Sequence, residues 1–435
     1  MKKTLIITLL TLLPASHAVW ATSLPADTSA VTAAVTADDD FLIPDGMLAD
    51  IDSILRQWSA QKFLHFPDEC TPADADPYTP DSVIAERLAL LPTVIPMPYN
   101  SVVRKCIDAY TKQGRRQVSY LLASANFYIP IFEEALDAYG LPIELKYLPI
   151  VESSLNPTAV SRVGATGLWQ FMITTAQQYG LTTNSLLDER RDPIKSSYAA
   201  ARYLRDLYHI FGDWTLALAA YNCGPQNVNK AIHRAGGAKD YWQIYSYLPR
   251  ETRGYVPAFI AANYVMNYYC EHGISPMEAD LSFKSDTLMV GRRLHLEQIA
   301  GACGLDIEAV RALNPQYKAD VIPDGNYSLR LPEEHIVRFL LLGDSVYNYM
   351  ADTYANPSRL STEASLQATT TATQKSTTTT TATKKKSSVR YHRIRRGETL
   401  STIAKRYGVS VSQLKRWNGL RGTSIRAGRR LKIMK

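Results

Sequence analysis

Consecutive helical patterns fill residues 119–272 and constrain the fold of this chain most strongly. Apolar residues recur there at helical spacing, and glycines and prolines separate the segments. Gly140 ends one predicted helix, Pro142 begins the next, and Pro193 begins a long helix that ends at Gly212. Further predicted helices cover Trp169–Tyr179, Trp214–Tyr221, Gln226–Ala235 and Thr252–Tyr269. Because no segment alternates apolar and polar residues as a half-buried strand does, the pattern predicts a mainly α fold with an all-α domain of roughly 150 residues.

An internal repeat follows the helical region. Five positions recur at a constant offset of 104 residues, namely Leu296, Ile299, Ala300, Gly304 and Asn314 in the first copy and Leu400, Ile403, Ala404, Gly408 and Asn418 in the second. Each copy ends in a short strand-like segment after a glycine. The repeat predicts two small α+β modules of βααβ type. The second spans 390–434, and the first, at 290–332, is a degenerate copy.

The N-terminal segment has the pattern of a secretory signal. Lys2 and Lys3 precede the short apolar run Thr4–Leu13, and small residues place the cleavage site after Ala18 or Ala21. This run is too short to span a membrane, and no cysteine follows it for lipid attachment. We therefore expect a signal peptide at 1–21 and an exported protein of the periplasm or cell envelope, with membrane association left open.

Two further segments lack the composition of a packed core. Residues 22–94 are predicted to form a disordered or helical N-terminal arm that packs on the following domain. Residues 361–389 are rich in Thr, Ala and Ser and are predicted to be a flexible linker between the two modules.

Charge is distributed unevenly along the chain. The overall net charge is +7, but residues 390–435 carry +13, which leaves −6 for residues 1–389. A basic C-terminal module indicates an anionic partner, although a merely solubilising surface has the same composition. Export argues against nucleic acid. The five cysteines and eight histidines show no ligand-like spacing, so no metal and no cofactor are predicted, and the cysteine pairing stays open.

A single carboxylate, Glu152, ends the apolar run Leu148–Val151. Burial disfavours the charged form of a carboxyl group, so a glutamate in such surroundings can stay protonated near neutral pH and donate a proton. Gly164 and Gly167 follow, where backbone can approach a ligand closely, and Gln170 comes directly after them. Taken alone, the same residues also fit an ordinary helix end with a solvated glutamate and a glycine-rich turn.

Four motifs then stand in a characteristic order: Glu152-Ser153-Ser154, Gly167–Met172, Ala220–Pro225 and Arg253–Pro257. Together they resemble the soluble-lytic-transglycosylase domain of the lysozyme-like superfamily, over residues 95–275. The wider run Leu248–Pro257 is similar to the membrane-bound lytic murein transglycosylases of type D. The C-terminal repeat resembles the LysM peptidoglycan-binding module. The resemblance implies a lysozyme-like all-α catalytic domain followed by small LysM modules.

The resemblance also implies the reaction. The family cleaves the MurNAc-β-1,4-GlcNAc bond of peptidoglycan glycan strands without water, because the C6 hydroxyl of the muramic acid attacks C1 and gives a 1,6-anhydro end. Ordinary glycosidases need two carboxylates, but here the substrate supplies the nucleophile. Glu152 would first protonate the glycosidic oxygen and then, as the carboxylate, take the proton from the C6 hydroxyl. Intramolecular attack gains from proximity.

The remaining site residues are carried over from the resemblance. Ser161 would steady the substrate, Gln170 would hydrogen-bond sugar, and Asn222 would bind an acetamido group. Tyr221 is expected to lie against the catalytic carboxylate and orient it, while Tyr255 lines the same pocket. Core packing is the alternative for both tyrosines, and Ser161 is equally explained as a loop serine. Trp169 fits either sugar stacking or core packing.

Other acidic residues bear on the mechanism. The mixed-sign run Asp188–Asp192 is expected to be a surface ion-pair cluster, and Glu251, between Arg250 and Arg253, is expected to form a structural salt bridge. A second carboxylate close to Glu152 would instead favour a hydrolytic muramidase. A catalytically silent wall-binding scaffold is the third hypothesis, and the intact Glu152 argues against it. A monomer is expected.

Overall fold

The computed structural model describes residues 41–48, 70, 73, 75–277, 285–354, 389–394, 398–407, 409–418, 420, 422, 428 and 430–434. The predicted signal peptide lies outside these residues, and so does nearly all of the predicted linker. The chain forms two compact units, residues 1–367 and 368–435. Among the described residues, no helix is both long and apolar enough to cross a membrane.

The first unit begins with a helical domain. Its α-helices are α1 (Asp81–Leu90), α2 (Ser101–Asp108), α3 (Arg115–Asp137), α4 (Leu148–Ser153), α5 (Ile173–Gln178), α6 (Pro193–Phe211), α7 (Trp214–Cys223), α8 (Pro225–Arg234), α9 (Tyr241–Ile244), α10 (Arg250–Arg253) and α11 (Tyr255–Tyr268). The longest of the later helices, α6, begins and ends where the sequence predicts. Asp192 caps α6 by accepting from the amides of Ile194 and Lys195, and Gly212 ends that helix in the left-handed conformation.

One apolar core unites this domain and includes residues ahead of position 95. Met47, Ile84 and Leu88 belong to the same buried cluster as Leu121 and Phe259. The 3-10 turn Asp45–Leu48 packs directly on α4. A disulfide joins Cys70 to Cys270, whereas the other three cysteines are free thiols. Parts of the predicted N-terminal arm are therefore integral to the helical domain.

Three predicted helices differ from those observed. The helix predicted to begin at Pro142 is a 3-10 helix over Ile143–Tyr147 and an α-helix only over Leu148–Ser153. The segment predicted as helix Trp169–Tyr179 is helical only from Ile173, because Gln170 has a φ of 48° and Phe171 forms a bridge with Thr166. The predicted helix Thr252–Tyr269 is divided at Gly254 into α10 and α11. The carbonyl oxygen of Leu42 approaches Gly254 so closely that a Cβ there would lie 2.2 Å from it.

A small α+β module completes the described part of the first unit. Its elements are β1 (Ser285–Val290), β2 (Leu294–His295), α12 (Leu296–Cys303), α13 (Ile307–Leu313), β3 (Val321–Ile322), β4 (Tyr327–Pro332), α14 (Glu333–Leu342), α15 (Asp344–Asn348) and α16 (Ala351–Tyr354). Strands β1 and β4 pair antiparallel, from Ser285 opposite Pro332 to Val290 opposite Tyr327. The short strands β2 and β3 pair in the same sense.

The second unit has the same plan: β5 (Val389–Arg393), α17 (Leu400–Tyr407), α18 (Val411–Asn418) and β6 (Arg430–Met434), with β5 antiparallel to β6. The repeated asparagine has the same function in both copies. Asn314 donates to the carbonyl of Arg330 and accepts from its amide, at 2.8 and 2.9 Å. Asn418 makes the same pair of bonds with Lys432, at 2.8 and 2.6 Å. The predicted mainly α fold with small βααβ modules is confirmed.

The first module docks on the helical domain through the loop that precedes α6. The amide of Asp188 donates to the carbonyl of Gln316 at 2.9 Å. The amide of Lys318 donates to the carbonyl of Leu186 at 2.8 Å. Leu187 is only 1% exposed and belongs to the apolar core of the module. The docking covers the run 188–192.

The ion pairing predicted for this run is present, but its prediction as a surface cluster is wrong. Asp188, Glu189, Arg190 and Asp192 are all buried. The guanidinium of Arg190 pairs with the carboxylate of Asp188 at 2.8 Å. This pair, despite desolvation, holds the pKa of Asp188 below its usual value. The charges are tolerated inside because they are paired and hydrogen-bonded.

Candidate active site

A cavity of about 240 Å³ opens on the helical domain beside the end of α4. All six residues predicted for the site line it: Glu152, Ser161, Gln170, Tyr221, Asn222 and Tyr255. Three helices and one loop bring them together, because Glu152 lies on α4, Tyr221 and Asn222 on α7, and Tyr255 at the start of α11. Ser161 and Gln170 come from the turns between α4 and α5.

The end of α4 is held in place from two sides. Ser154 adopts a φ of 52° and ends the helix in the left-handed conformation. The hydroxyl of Ser153 donates to the carbonyl of Leu168 at 2.9 Å, which joins the helix to the turn that carries Gln170. Leu148, Ile150 and Val151 are buried in the core. The hydrogen bond and the buried side chains therefore fix the position of α4, and α4 places Glu152 in the cleft.

The surroundings of Glu152 raise its pKa from 4.5 to about 7. Burial is the main cause, because a low-dielectric environment disfavours the carboxylate. The negative charge of Asp45 raises the pKa further, whereas a hydrogen bond from Tyr255 lowers it. A carboxyl group with a pKa near 7 is populated in both forms at neutral pH, as a group that acts first as an acid and then as a base requires.

The hydroxyl that reaches the carboxylate belongs to Tyr255, which donates to Oε1 of Glu152. Tyr255 is 1% exposed, so its side of this contact is shielded from solvent. Tyr221, predicted to lie against Glu152 and orient it, instead donates its hydroxyl to the carbonyl of Trp169 at 2.8 Å. It still lines the same cavity as Glu152, and burial together with the charge of Glu152 raises the pKa of Tyr221. The structure thus gives the orienting contact to Tyr255.

A tight turn presents Gln170. Its amide nitrogen Nε2 donates to the carbonyl of Gly167 at 2.8 Å. Gly167 has a φ of 89°, and a Cβ there would lie 1.9 Å from the carbonyl oxygen of Arg190. The guanidinium of Arg190 in turn donates to the carbonyls of Gly164, at 3.0 Å, and Phe171, at 3.2 Å. The turn therefore requires glycine at 167 and is braced by the buried loop under the docked module.

The other two polar residues, Ser161 and Asn222, each accept a hydrogen bond through the side-chain oxygen. The hydroxyl oxygen of Ser161 accepts from the amide of Ala165 at 3.0 Å. The side-chain oxygen of Asn222 accepts from the hydroxyl of Thr252 at 2.8 Å, which leaves its NH₂ group for a ligand. Trp169 is fully buried and donates its indole N–H to Ser197 at 2.9 Å, so it fills core and does not stack on sugar.

Three cleft residues were missed or misassigned from the sequence. Glu251 is exposed and lines the cleft, and it takes part in none of the ion pairs among the described residues, contrary to the predicted salt bridge. Tyr203 of α6 lines the cleft with its ring centroid 5.2 Å from that of Tyr221. Asp45 enters from a segment more than a hundred residues before Glu152, and no sequence motif marks it.

Three family models match the chain: "Transglycosylase SLT domain" at residues 130–244, "Lytic transglycosylase MltD, LysM-like domain" at 284–348, and "LysM domain" at 392–433. The resemblance inferred from the four motifs and the repeat is thereby confirmed. The degenerate copy corresponds to the second of these models.

The chain is 31% identical over 299 residues to membrane-bound lytic murein transglycosylase D of Escherichia coli strain K12, which covers 68% of this chain and 60% of the relative. It is 32% identical over 124 residues to the soluble lytic murein transglycosylase of the same strain, which covers 27% and 19%. The crystal structure of the 70 kDa soluble lytic transglycosylase from E. coli aligns at 24% identity and a TM-score of 0.30, covering 40% of this chain and 31% of that one.

The chain thus spans about 60% of the length of the type D relative. The cleft lies within and beside the part that the first family model matches. From the models and their positions, the chain carries a transglycosylase SLT domain, a LysM-like domain of the MltD type and a C-terminal LysM domain.

Proposed function

We propose that this protein is a peptidoglycan lytic transglycosylase that cleaves the MurNAc-β-1,4-GlcNAc bond without water and leaves 1,6-anhydro-MurNAc ends. One observation carries the proposal: Glu152 has a pKa of about 7 in a cleft that also holds Ser161, Gln170 and Asn222. The names of the relatives support murein as the substrate class. The enzymatic activity, the substrate and the roles of the site residues form a single proposal.

In the proposed mechanism, Glu152 is protonated when the glycan binds and donates its proton to the glycosidic oxygen as the bond to C1 breaks. The resulting carboxylate then accepts the proton of the C6 hydroxyl, which attacks C1. The hydroxyl of Tyr255 stabilises the carboxylate formed between these steps. Asn222 offers its NH₂ group to an acetamido oxygen, and Ser161 and Gln170 hold the sugar beside the turn.

The domain layout belongs to the same proposal. We assign 1–21 as a signal peptide, 22–94 as the N-terminal arm, 95–275 as the catalytic domain, 290–332 as the degenerate LysM-like module and 361–389 as the linker. The LysM module at 390–434 would tether the enzyme to glycan strands in the periplasm or cell envelope. The charge of +13 over residues 390–435 suits a polymer that carries carboxylates.

Hydrolysis of the same bond is the second candidate. Asp45 and Glu251 line the cleft with Glu152, and a glycosidase that uses water needs a second carboxylate. Both side chains are exposed to solvent, which suits a base that activates water.

The test is mass spectrometry of muropeptides released from intact sacculi by the purified protein. We expect products one water lighter than hydrolysed ends, and we expect Glu152→Gln to abolish them. Glu86→Gln is the matched control, because Glu86 is an exposed residue of α1 outside the cleft. Hydrated reducing ends would establish the muramidase. An absence of both products, with binding to sacculi retained, would leave only a wall-binding scaffold.

A further inference from the structure

The segment Phe41–Leu48 forms one wall of the cleft. Leu42, Ile43, Pro44 and Asp45 all line the cavity. The segment is tied to the helical domain at both ends, because the amide of Leu42 donates to the carbonyl of Arg250 at 3.2 Å and Met47 is buried in the core. This wall is therefore a fixed part of the site.

Gly46 holds the middle of the wall against the catalytic helix. Its carbonyl accepts hydrogen bonds from Nε2 of Gln117, at 2.8 Å, and from the hydroxyl of Ser154. Both donors are buried. A Cβ at Gly46 would lie 2.1 Å from the carbonyl oxygen of Val151, the residue before Glu152. The backbone of the wall thus touches the backbone that carries the catalytic carboxyl group, and Asp45 is the adjacent residue.

The titratable groups that line the cavity with Glu152 come from four helices and the wall. They are the hydroxyls of Tyr203 on α6, Tyr221 on α7 and Tyr255 on α11, the carboxylate of Glu251 on α10 and the carboxylate of Asp45. No lysine, arginine or histidine is found among the described residues that line the cavity. A second negative charge in such a cleft opposes the ionisation of Glu152. Water weakens this repulsion when the cleft is open, and a bound glycan that displaces water strengthens it.

We propose that Asp45 is a positioning residue for the reaction: its carboxylate, held beside the catalytic helix by the backbone contacts of Gly46, keeps Glu152 in the protonated form that the first step needs. This inference rests on the proposed transglycosylase function. It adds a residue from outside the matched catalytic domain to the acid–base machinery. Asp45 acts through Glu152 and transfers no proton itself.

Two readouts on the full chain test the inference. The first is the ratio of anhydro-muropeptide release at pH 8 to that at pH 5.5. The second is the ¹³C carboxyl titration of Glu152, assigned by its absence in Glu152→Gln. In Asp45→Asn we expect the rate ratio to fall about two- to threefold and the titration midpoint to move to lower pH. Asp45→Glu should restore both values towards those of the wild type.

Asp137→Asn is the matched control, because Asp137 is an exposed residue of α3 that does not line the cleft. It should leave both readouts unchanged. In Gln117→Leu, Asp45 is intact but Gly46 loses a buried hydrogen bond, so both readouts should move in the direction of Asp45→Asn. Thermal denaturation checks that each variant is folded.

An unchanged titration midpoint in Asp45→Asn overturns the inference, even if the wild type releases anhydro products. An equal shift in Asp137→Asn also overturns it, because the effect would then be one of net charge. If the wild type releases no anhydro products, the proposed function fails, while the titration still decides whether Asp45 acts on Glu152.

Discussion

At the scale of single residues, the site depends on how two opposing influences act on Glu152. Burial and the charge of Asp45 raise its pKa to about 7, and the hydrogen bond from Tyr255 lowers it. A group whose pKa is raised by its surroundings serves as an acid below that pKa and loses this ability above it. The rate should therefore fall as the pH rises through about 7.

Tyr255→Phe separates these influences. Without the donated hydrogen bond, the carboxylate is less stable, so the pKa of Glu152 should rise and the alkaline limb of the pH–rate profile should move to higher pH. The loss of this hydrogen bond also destabilises the Glu152 carboxylate that forms between the two steps. We expect kcat to fall by about tenfold or more, since a hydrogen bond to a charged group contributes about 1.5–3 kcal/mol. The measurement is the rate of anhydro-product release between pH 5 and 9.

Tyr110→Phe is the matched control for that experiment. Tyr110 is as deeply buried as Tyr255, but its hydroxyl has no hydrogen-bond partner among the described residues. Its removal should leave the pH profile in place. A shift of the Tyr255→Phe limb to lower pH would contradict the assigned contact, because the shift has the opposite sign to the one that a lost donor produces.

At the scale of elements, the turn before α5 depends on the close contact between the backbone of Gly167 and that of Arg190. Gly167 and Gly164 both have a φ of 89°, but only Gly167 is in contact with other backbone at the position of a Cβ. The two glycines therefore differ in the space around them and not in φ, which makes them a matched pair.

Gly167→Ala should destabilise the helical domain by about 2–4 kcal/mol, because the left-handed conformation is costly for alanine and the carbonyl of Arg190 must also move. Gly164→Ala should cost about 1–2 kcal/mol, from the conformation alone. Urea denaturation measures both values. Equal losses would show that the contact between Gly167 and Arg190 is loose.

At the scale of the whole molecule, the first module is connected to the catalytic turn. Leu187 inserts into the core of the module, and Arg190, three residues later, donates to the carbonyls of Gly164 and Phe171. The loop before α6 therefore contacts the module on one side and the turn of Gln170 on the other.

Leu187→Ala should destabilise the module by about 2–4 kcal/mol, although the residue belongs to the loop of the helical domain. Hydrogen exchange in β1 and β4 reports the effect as faster exchange of the paired amides. Leu181→Ala is the control, since Leu181 is buried in the helical core and not in that of the module. Unchanged exchange in Leu187→Ala would contradict docking through this loop.

The amino-acid sequence by itself determined the local features. Pro193 begins α6 and Gly212 ends it, as predicted, and Gly140 has a φ of 62° in the turn after α3, because caps and φ preferences act within a few residues. The repeat offset identified Asn314 and Asn418, whose side chains bond the last strand of each module. The ordered motifs contain five of the six predicted residues that line the cleft, and the family resemblance supplied the sixth, Ser161.

The tertiary structure alone decided which of these residues touch. It placed the hydroxyl of Tyr255 on Glu152 although 103 residues separate them, and it buried four of the five charged residues of the run 188–192. It also brought Asp45 into the cleft from a segment without any motif. Such contacts depend on the packing of segments far apart in the chain, and neither periodicity nor motif spacing carries that information.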